Sequence, residues 1–280
     1  MSGGVAVIRD YQVIVPCTDD QLRANVIYSN GLHLPDVEGH PVREEPIYLY
    51  ANGPSAADAP ILWPSMALNG ALQMFMRRGS MPNYWAACDP GEVVGNFLRS
   101  GAHVLDGFLV ASKCAPIVFD RLRWHAQQGR VKRWHIDDAG ADALDDKTLM
   151  PSAISVTISA IFLLYHMGYR KVVTYGWDGS YSADGRDHAI GQGHDTTHDV
   201  DVDLGGKMFR STDTWLAELE DAAEMLNRLP DVQLTIQGEG LFATALKPIL
   251  DHMNQTQRRS NDASSEERAA RAVRAGHSPR

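Results

Sequence analysis

Short apolar runs that end at small or polar residues recur along this chain and alternate with segments of helical pattern. The runs cover residues 47–50, 66–68, 84–88, 108–111, 131–136, 171–175 and 231–236. Helices are predicted between them, over 70–78, 92–100, 115–128, 151–168 and 213–228. Continuous apolar runs, rather than alternating ones, are typical of parallel strands covered on both faces. The pattern therefore predicts an α/β protein: a Rossmann-like three-layer fold with a mostly parallel sheet.

The two ends of the chain differ in composition from this central part. A short strand is predicted over residues 11–15 and a helix start at Thr18, and residues 29–46 are rich in glycine and proline. Residues 254–280 contain six arginines and three carboxylates, which favours a charged, disordered tail. We therefore expect an N-terminal extension over 1–44 packed on the core, a Rossmann-like domain over 45–253, and a disordered tail over 254–280.

Bulk composition narrows the function classes. The chain has 280 residues, 44% of them hydrophobic, which is enough for one large core. A net charge of −9 argues against a nucleic-acid partner. Three cysteines without a Cys-x-x-Cys pair argue against a disulfide framework and a thiolate zinc site. No apolar run suits a membrane span or a signal peptide, so the expectation is a cytoplasmic protein without a membrane partner.

Small and polar residues follow the predicted strands. They are Asn52, Gly53, Pro54, Ser55, Asn69, Asp89, Ser112 and Asp178. The carboxyl ends of parallel strands gather at one edge of the sheet, where ligands of open α/β sheets bind. Ser152 and Ser155, at the predicted start of the long helix, add free backbone N–H groups that favour an anion. Each position is also compatible with an ordinary turn or helix cap, and the chain carries neither Gly-x-Gly-x-x-Gly nor a P-loop.

Histidines and aspartates supply the candidate catalytic groups. His188 lies in a loop beyond Asp178, and its near-neutral pKa as a residue type suits a general base. His194 and His198 are four residues apart, but their segment lacks a helical pattern, so we interpret it as a solvated or substrate-facing loop. Pyrophosphate transfer would need Mg²⁺, for which Asp89 and Asp178 are the candidate ligands. Glycosyl transfer from a nucleotide monophosphate sugar need not use a metal.

Several short segments, in this order, resemble the MptE-like family. They are 50–55, 67–71, 82–84 leading into Asp89, 110–113, the helix 151–168 with 168–170, 176–181, 188–189, 205–209 and 238–241. That family includes 6-hydroxymethylpterin diphosphokinases and motility accessory factors that resemble glycosyltransferases, and members occur in bacteria and tailed phages. A more distant similarity is to bacterial sialyltransferases that use a CMP-sugar.

The resemblance implies roles for individual residues. Asn52, Gly53 and Ser55 would lie by the nucleotide phosphates, and Asn69 would contact nucleotide or substrate. Asp178 and Tyr181 match a late Gly-x-Asp motif, and His188 matches a histidine–alanine pair. The chain departs from the sialyltransferases at 207–210, where Lys-Met-Phe-Arg replaces their histidine, and its helix start at 151–155 is poorer in glycine.

Three functions remain open on the sequence. The first is a group transferase that binds a nucleotide-sugar donor, similar to glycosyltransferases, with His188 or Asp178 assisting an acceptor hydroxyl. The second is a diphosphokinase that transfers pyrophosphate from ATP to a hydroxymethyl group with Mg²⁺. The third is a non-catalytic nucleotide-binding or phage-associated accessory protein. The donor, the acceptor and the oligomeric state are left undetermined.

Overall fold

The computed structural model describes residues 18–98, 102–137, 149–151, 155–186, 199–229 and 231–255, and these form an α/β Rossmann-like fold. Its main sheet has eight strands in the order β10-β7-β1-β2-β3-β4-β5-β6, and every neighbouring pair is parallel. The strands are β1 (Ile47–Tyr50), β2 (Ser65–Leu68), β3 (Tyr84–Ala87), β4 (Gly107–Ala111), β5 (Val131–Asp137), β6 (Leu149–Pro151), β7 (Lys171–Tyr175) and β10 (Gln233–Ile236). The predicted parallel sheet is confirmed.

Helices connect the strands. They are α1 (Asp19–Gly31), α2 (Ala71–Arg77), α3 (Val93–Phe97), α4 (Pro116–Arg121), α5 (Arg123–Gln127), α6 (Val156–His166), α7 (Asp213–Leu226) and α8 (Leu241–Ala245). Thr18 caps α1 as predicted: its Oγ1 accepts a hydrogen bond from Gln21 N, and Gln21 Oε1 accepts one from Thr18 N. The apolar central strands, which include the fully buried Leu49, Trp85 and Phe108, form the core between the helical layers.

The order of the strands reverses between β1 and β7. From β1 the chain proceeds outward through β2 to β6, then returns through α6 to place β7 on the other side of β1. The loops that leave β1 and β7 therefore diverge at the carboxyl edge of the sheet. Such a switch point is where open α/β sheets bind their ligands.

Several predicted elements are wrong in detail. Pro151 does not open the long helix but belongs to β6, and the helix begins at Val156 after its N-cap Ser155. The single helix predicted over 115–128 is interrupted at Leu122. The acidic loop predicted over 137–150 contributes its first residue to β5 and its last two to β6. The predicted strand 11–15 lies outside the described residues.

A two-stranded antiparallel hairpin, β8 (Asp199–Leu204) and β9 (Lys207–Thr212), was not predicted. Its signal is in the sequence: Asp alternates with Val over 199–203, and Gly205-Gly206 forms the turn. Both glycines have positive φ, 65° and 85°, as a type I′ hairpin turn requires. The hairpin joins the loop that follows β7, since Tyr181 N donates to Arg210 O (2.9 Å) and Ser211 Oγ donates to Gly179 O (2.7 Å).

Helix α1, in the N-terminal extension, lies against the far half of the sheet. Tyr28 OH of α1 donates to Asp120 Oδ1 of α4 (2.8 Å). The buried Asn25 Nδ2 donates to Lys113 O (2.9 Å) and Pro90 O (3.5 Å), in the loops that follow β4 and β3. Helix α1 therefore covers the carboxyl ends of β3 and β4, whereas the switch point between β1 and β7 is left to other loops.

His125 of α5 should make stability depend on pH. Its ring packs on Phe108 (4.5 Å between centroids), and burial, followed by the neighbouring His103, lowers the pKa of His125. Below the ordinary histidine pKa the unfolded chain takes up a proton that the native ring resists, so stability falls as pH drops through that value. We expect the urea midpoint to fall less between pH 7.5 and 5.5 in His125→Gln than in the wild type. Equal falls in both proteins would contradict this origin.

Candidate functional site

The loops after β1 and β7 bind each other at the switch point. Gly53 N donates to Gly176 O (2.8 Å), and Gly176 N donates to Ser55 Oγ (2.9 Å). Ser55 N donates to Asp178 Oδ2 (2.9 Å), which fixes the carboxylate under the Pro54–Ala56 turn. A Cβ on Gly53 would lie 2.5 Å from Asp178 Oδ2 and from Gly176 O, so only glycine permits this approach. The structure thus brings Asn52–Ser55 and Asp178 together, as the sequence predicted.

Asp178 is a buried carboxylate with one face toward a cavity. The residue is 6% exposed, and burial raises the pKa of its carboxyl group, while the hydrogen bond from Ser55 N lowers it in part. Gly238 and Gly240, in the loop after β10, pack closely around its side chain and backbone. A carboxylate whose pKa is moved toward neutrality and whose orientation is fixed by a backbone N–H is suited to accept a proton from a hydroxyl group.

Asn52 and Asn69 form the next part of the edge, at the ends of β1 and β2. The side chain of Asn52 lies beside Gly70, where an added Cβ would be 3.1 Å from Nδ2. Asn69 has the left-handed φ of 43°, and Trp85 Nε1 holds its carbonyl oxygen with a 2.9 Å hydrogen bond. Among the described residues, neither Asn52 Oδ1 nor Asn69 Oδ1, both buried atoms, has a hydrogen-bond partner.

Asp89 and Ser112 lie farther along the edge, beneath α1. Asp89 Oδ1 accepts from Gly91 N (2.7 Å), which closes a turn, and the buried Ser112 follows β4. Since β7 and β3 are separated by β1 and β2, the strands that lead into Asp178 and Asp89 are about 14 Å apart. One Mg²⁺, which binds carboxylate oxygens at about 2.1 Å, cannot bridge them. The proposed magnesium pair is therefore not brought together.

A buried carboxyl group that the sequence did not reveal links the site to α6 and α7. Glu218 Oε1 of α7 accepts from Trp177 Nε1 (2.7 Å), and Glu218 also bonds to the hydroxyl of Ser155. Burial raises the pKa of Glu218. Ser155 Oγ in turn accepts from Thr157 N, so the first turn of α6 is fixed beside the β7 loop. An acidic residue on the amphipathic α7 resembles a solvated position, which is why sequence patterns missed it.

A cavity of 640 Å³ opens beside Asp178 and is bounded by the hairpin. Its polar lining includes Ser55, Asp178, Ser180, Tyr181, Arg186, Lys207 and Arg210. Tyr181 OH donates to Asp199 Oδ1 (2.8 Å), and Arg210 Nε donates to Asp199 Oδ2 (2.9 Å). Lys207 Nζ donates to Glu239 O (3.0 Å). Of these residues the sequence predicted Ser55, Asp178 and Tyr181. The basic side chains were not predicted; they come from strand β9 and from the loop after β7.

Two candidates from the sequence, His188 and Ser152, lie outside the described residues. In the part of the chain that the structure describes, no cluster of three or more histidine, cysteine, aspartate or glutamate side chains could hold a metal ion. Cys88 and Cys114 are buried free thiols, and burial raises the pKa of Cys88 to about 12, so both behave as core residues. None of the described helices has the length and apolar character needed to cross a membrane.

Comparison with known proteins gives a distant structural likeness. No family model matches the chain, and no curated protein matches it. The expected membership of the MptE-like family therefore finds no support. A solved structure with a similar fold is the sialyltransferase CstII from Campylobacter jejuni in complex with a substrate analogue, cytidine-5′-monophosphate. The similarity has 11% identity and a TM-score of 0.40 and covers 72% of this chain and 83% of that one.

Proposed function

We propose that this protein is a nucleotide-dependent group transferase of the glycosyltransferase type, with a nucleotide-sugar donor and a hydroxyl acceptor. One observation carries the proposal: at the switch point of the sheet, the loops after β1 and β7 bring Ser55 and the buried Asp178 to the wall of a 640 Å³ cavity. At the same edge, Asn52 Oδ1 and Asn69 Oδ1 are buried at the ends of adjacent strands without a partner among the described residues. An unsatisfied buried acceptor costs about 1–3 kcal/mol, so a ligand that donates hydrogen bonds there is favoured. Ribose hydroxyls and exocyclic amines of a nucleotide are such donors.

Three basic side chains of the cavity suit the phosphate of the donor. Arg186, Lys207 and Arg210 line the cavity beside three acidic residues. Each basic side chain is paired with a carboxylate: Asp184, Glu239 and Asp199 respectively. Exposed ion pairs of this kind contribute about 0–1 kcal/mol, so a phosphate can replace a carboxylate partner at little expense. The cavity is also large enough for a sugar nucleotide, since such sites commonly measure about 300–1,000 Å³.

Asp178 is the group we assign to the acceptor hydroxyl. It lies on the cavity floor, its carboxylate is oriented by Ser55 N, and burial has moved its pKa toward neutrality. In the transfer step Asp178 takes the proton of the acceptor hydroxyl as the oxygen attacks the sugar carbon, and the bond to the donor phosphate breaks with its electrons leaving on the phosphate oxygen. His188, proposed from the sequence as an alternative base, remains a hypothesis.

A thermal-shift panel tests the proposal. CMP, UMP, GDP and ATP are each added to the protein with and without Mg²⁺. A specific nucleotide at 100 times its Kd should stabilise the native state by about 2.7 kcal/mol. We expect such a response from at least one nucleotide in the absence of Mg²⁺, and we expect Asn52→Ala to abolish it while the free protein still folds and melts cooperatively.

The matched control is Asn227→Ala, an exposed asparagine at the end of α7, which should keep the full response. Stabilisation by ATP alone, and only with Mg²⁺, would argue instead for pyrophosphate transfer. A protein that responds to no nucleotide would contradict the proposal and favour a non-catalytic accessory role.

A further inference from the structure

The amino edge of the sheet, opposite the cavity, exposes large apolar side chains along one of its halves. Before β7 and β10 the chain carries ion pairs, Lys171 with Glu44 (3.7 Å) and Arg170 with Asp231 (2.9 Å). Before β2, β3 and β4 it instead presents Trp63, Met81 and Leu105 to solvent. Because these three strands are neighbours about 4.8 Å apart, the three side chains occupy adjacent loops.

Trp124 of α5 is a fourth large apolar side chain that is exposed to solvent. Its ring lies 4.8 Å from that of His125, which lies 5.7 Å from that of His103, two residues before Leu105. We call Trp63, Met81, Leu105 and Trp124 the apolar row. Their exposed fractions are 53%, 44%, 49% and 58%. Single exposed apolar side chains are common in monomers, but four large ones near one edge of the sheet are typical of an interaction surface.

The polar groups beneath the row, which include the exposed Asp106, are hydrogen-bonded to one another. Asn83 Oδ1 accepts from Ser65 N (2.9 Å), and Asn83 Nδ2 donates to Asp106 Oδ2 (2.8 Å). Trp63 Nε1 donates to Met81 O (3.2 Å), and Leu105 N donates to Pro82 O (2.9 Å). These bonds rigidify the loops and satisfy their polar atoms, which leaves a pre-ordered apolar surface that loses little conformational entropy on binding.

We propose that the apolar row is the centre of a symmetric interface between two copies of this chain. The exposed parts of its four side chains amount to roughly 450 Å². A standard interface buries about 800 Å² per partner, of which just over half is apolar. The row alone therefore supplies the apolar centre that a stable dimer of this size needs. Tryptophan and methionine are also among the residues enriched at such interfaces.

The order of the row fits a two-fold axis. An axis between Met81 and Leu105 sets Met81 of one copy against Leu105 of the other, and sets Trp63 against Trp124. Large rings then meet large rings, and flexible aliphatic side chains meet each other, as an isologous interface requires. The dimer would leave the cavity of each copy accessible, because the apolar row lies at the opposite edge of the sheet. This inference is independent of the proposed function.

Sedimentation velocity over a concentration series tests the dimer. We expect the wild type to be largely dimeric at about 100 µM, with a Kd in the micromolar range or below. Because each copy has a net charge of −9, added salt should screen the repulsion and tighten the dimer. Leu105→Glu should weaken association at least about 100-fold, since it places two like charges at the interface.

A charge exchange tests the register, and a matched variant tests specificity. Met81→Lys combined with Leu105→Glu should restore the dimer, because each lysine then faces a glutamate of the other copy. Ile27→Glu, which adds the same charge at an exposed aliphatic position on α1, should leave the dimer intact. A wild type that stays monomeric at about 100 µM, or that binds anionic vesicles through this row instead, would overturn the proposal.

Discussion

Gly53→Ala is expected to cause a large loss of stability, on the order of 3 kcal/mol, and to destroy the nucleotide site. The new Cβ would lie 2.5 Å from Asp178 Oδ2 and 2.5 Å from Gly176 O. Gly176 O is a backbone atom at the end of β7, so it cannot move aside as the end of a flexible side chain can. The hydrogen bond from Ser55 N to Asp178 would be displaced with it.

Urea unfolding measures this effect directly, with Gly31→Ala as the matched control. Gly31 ends α1, and a Cβ added there would have no atom within 4 Å, so alanine should be neutral or slightly stabilising at this position. If Gly53→Ala and Gly31→Ala unfold at the same urea concentration, the close packing of the β1 and β7 loops is not rigid, and the candidate site loses its structural basis.

Asp178→Asn is expected to separate activity from stability. Loss of a general base slows a proton transfer by about 10²–10⁴-fold, so release of the nucleotide from the donor should fall by that factor. Asparagine can still accept the hydrogen bond from Ser55 N through Oδ1, so the loop and the nucleotide-induced thermal shift should both persist. The melting temperature at pH 7 should rise, because a buried carboxylate is replaced by a neutral side chain of the same shape.

The pH dependence follows from the direction of the pKa shift. Burial raises the pKa of Asp178 in the native state above that in the unfolded chain. Between the two pKa values the native state binds more protons, so its stability rises as pH falls through this window, and the full penalty is present above the native pKa. The stability gain of Asp178→Asn should therefore shrink as pH is lowered through the window.

Asp58→Asn, at an exposed carboxylate shortly after the same turn, is the control and should change neither activity nor its pH profile. Undiminished transfer by Asp178→Asn would remove Asp178 from the chemistry and direct attention to His188. A lower melting temperature at pH 7 would show that the ionised carboxylate stabilises the loops rather than straining them.

Local patterns were sufficient to predict most of the sheet. The run Ile47–Tyr50 predicts a central strand, because four consecutive bulky apolar residues are buried best in a strand that is covered on both faces. The start of the long helix was misplaced because Pro151 is compatible with a first helical turn and with an edge strand, and pairing with β5 decided between them. The hairpin does have a local signal, since Asp and Val alternate along β8 and a Gly-Gly turn leads into β9.

The sequence by itself determined that polar residues follow parallel strands, since strand ends are set by local apolar runs and turn chemistry. Which of them meet was decided by the tertiary structure. The order of the strands places β7 beside β1, so Asp178 meets Ser55, while Asp89 lies three strands away beneath α1. Contacts of this kind, like the approach of Glu218 to Trp177 across 41 residues of chain, depend on the path of the whole backbone and leave no local pattern.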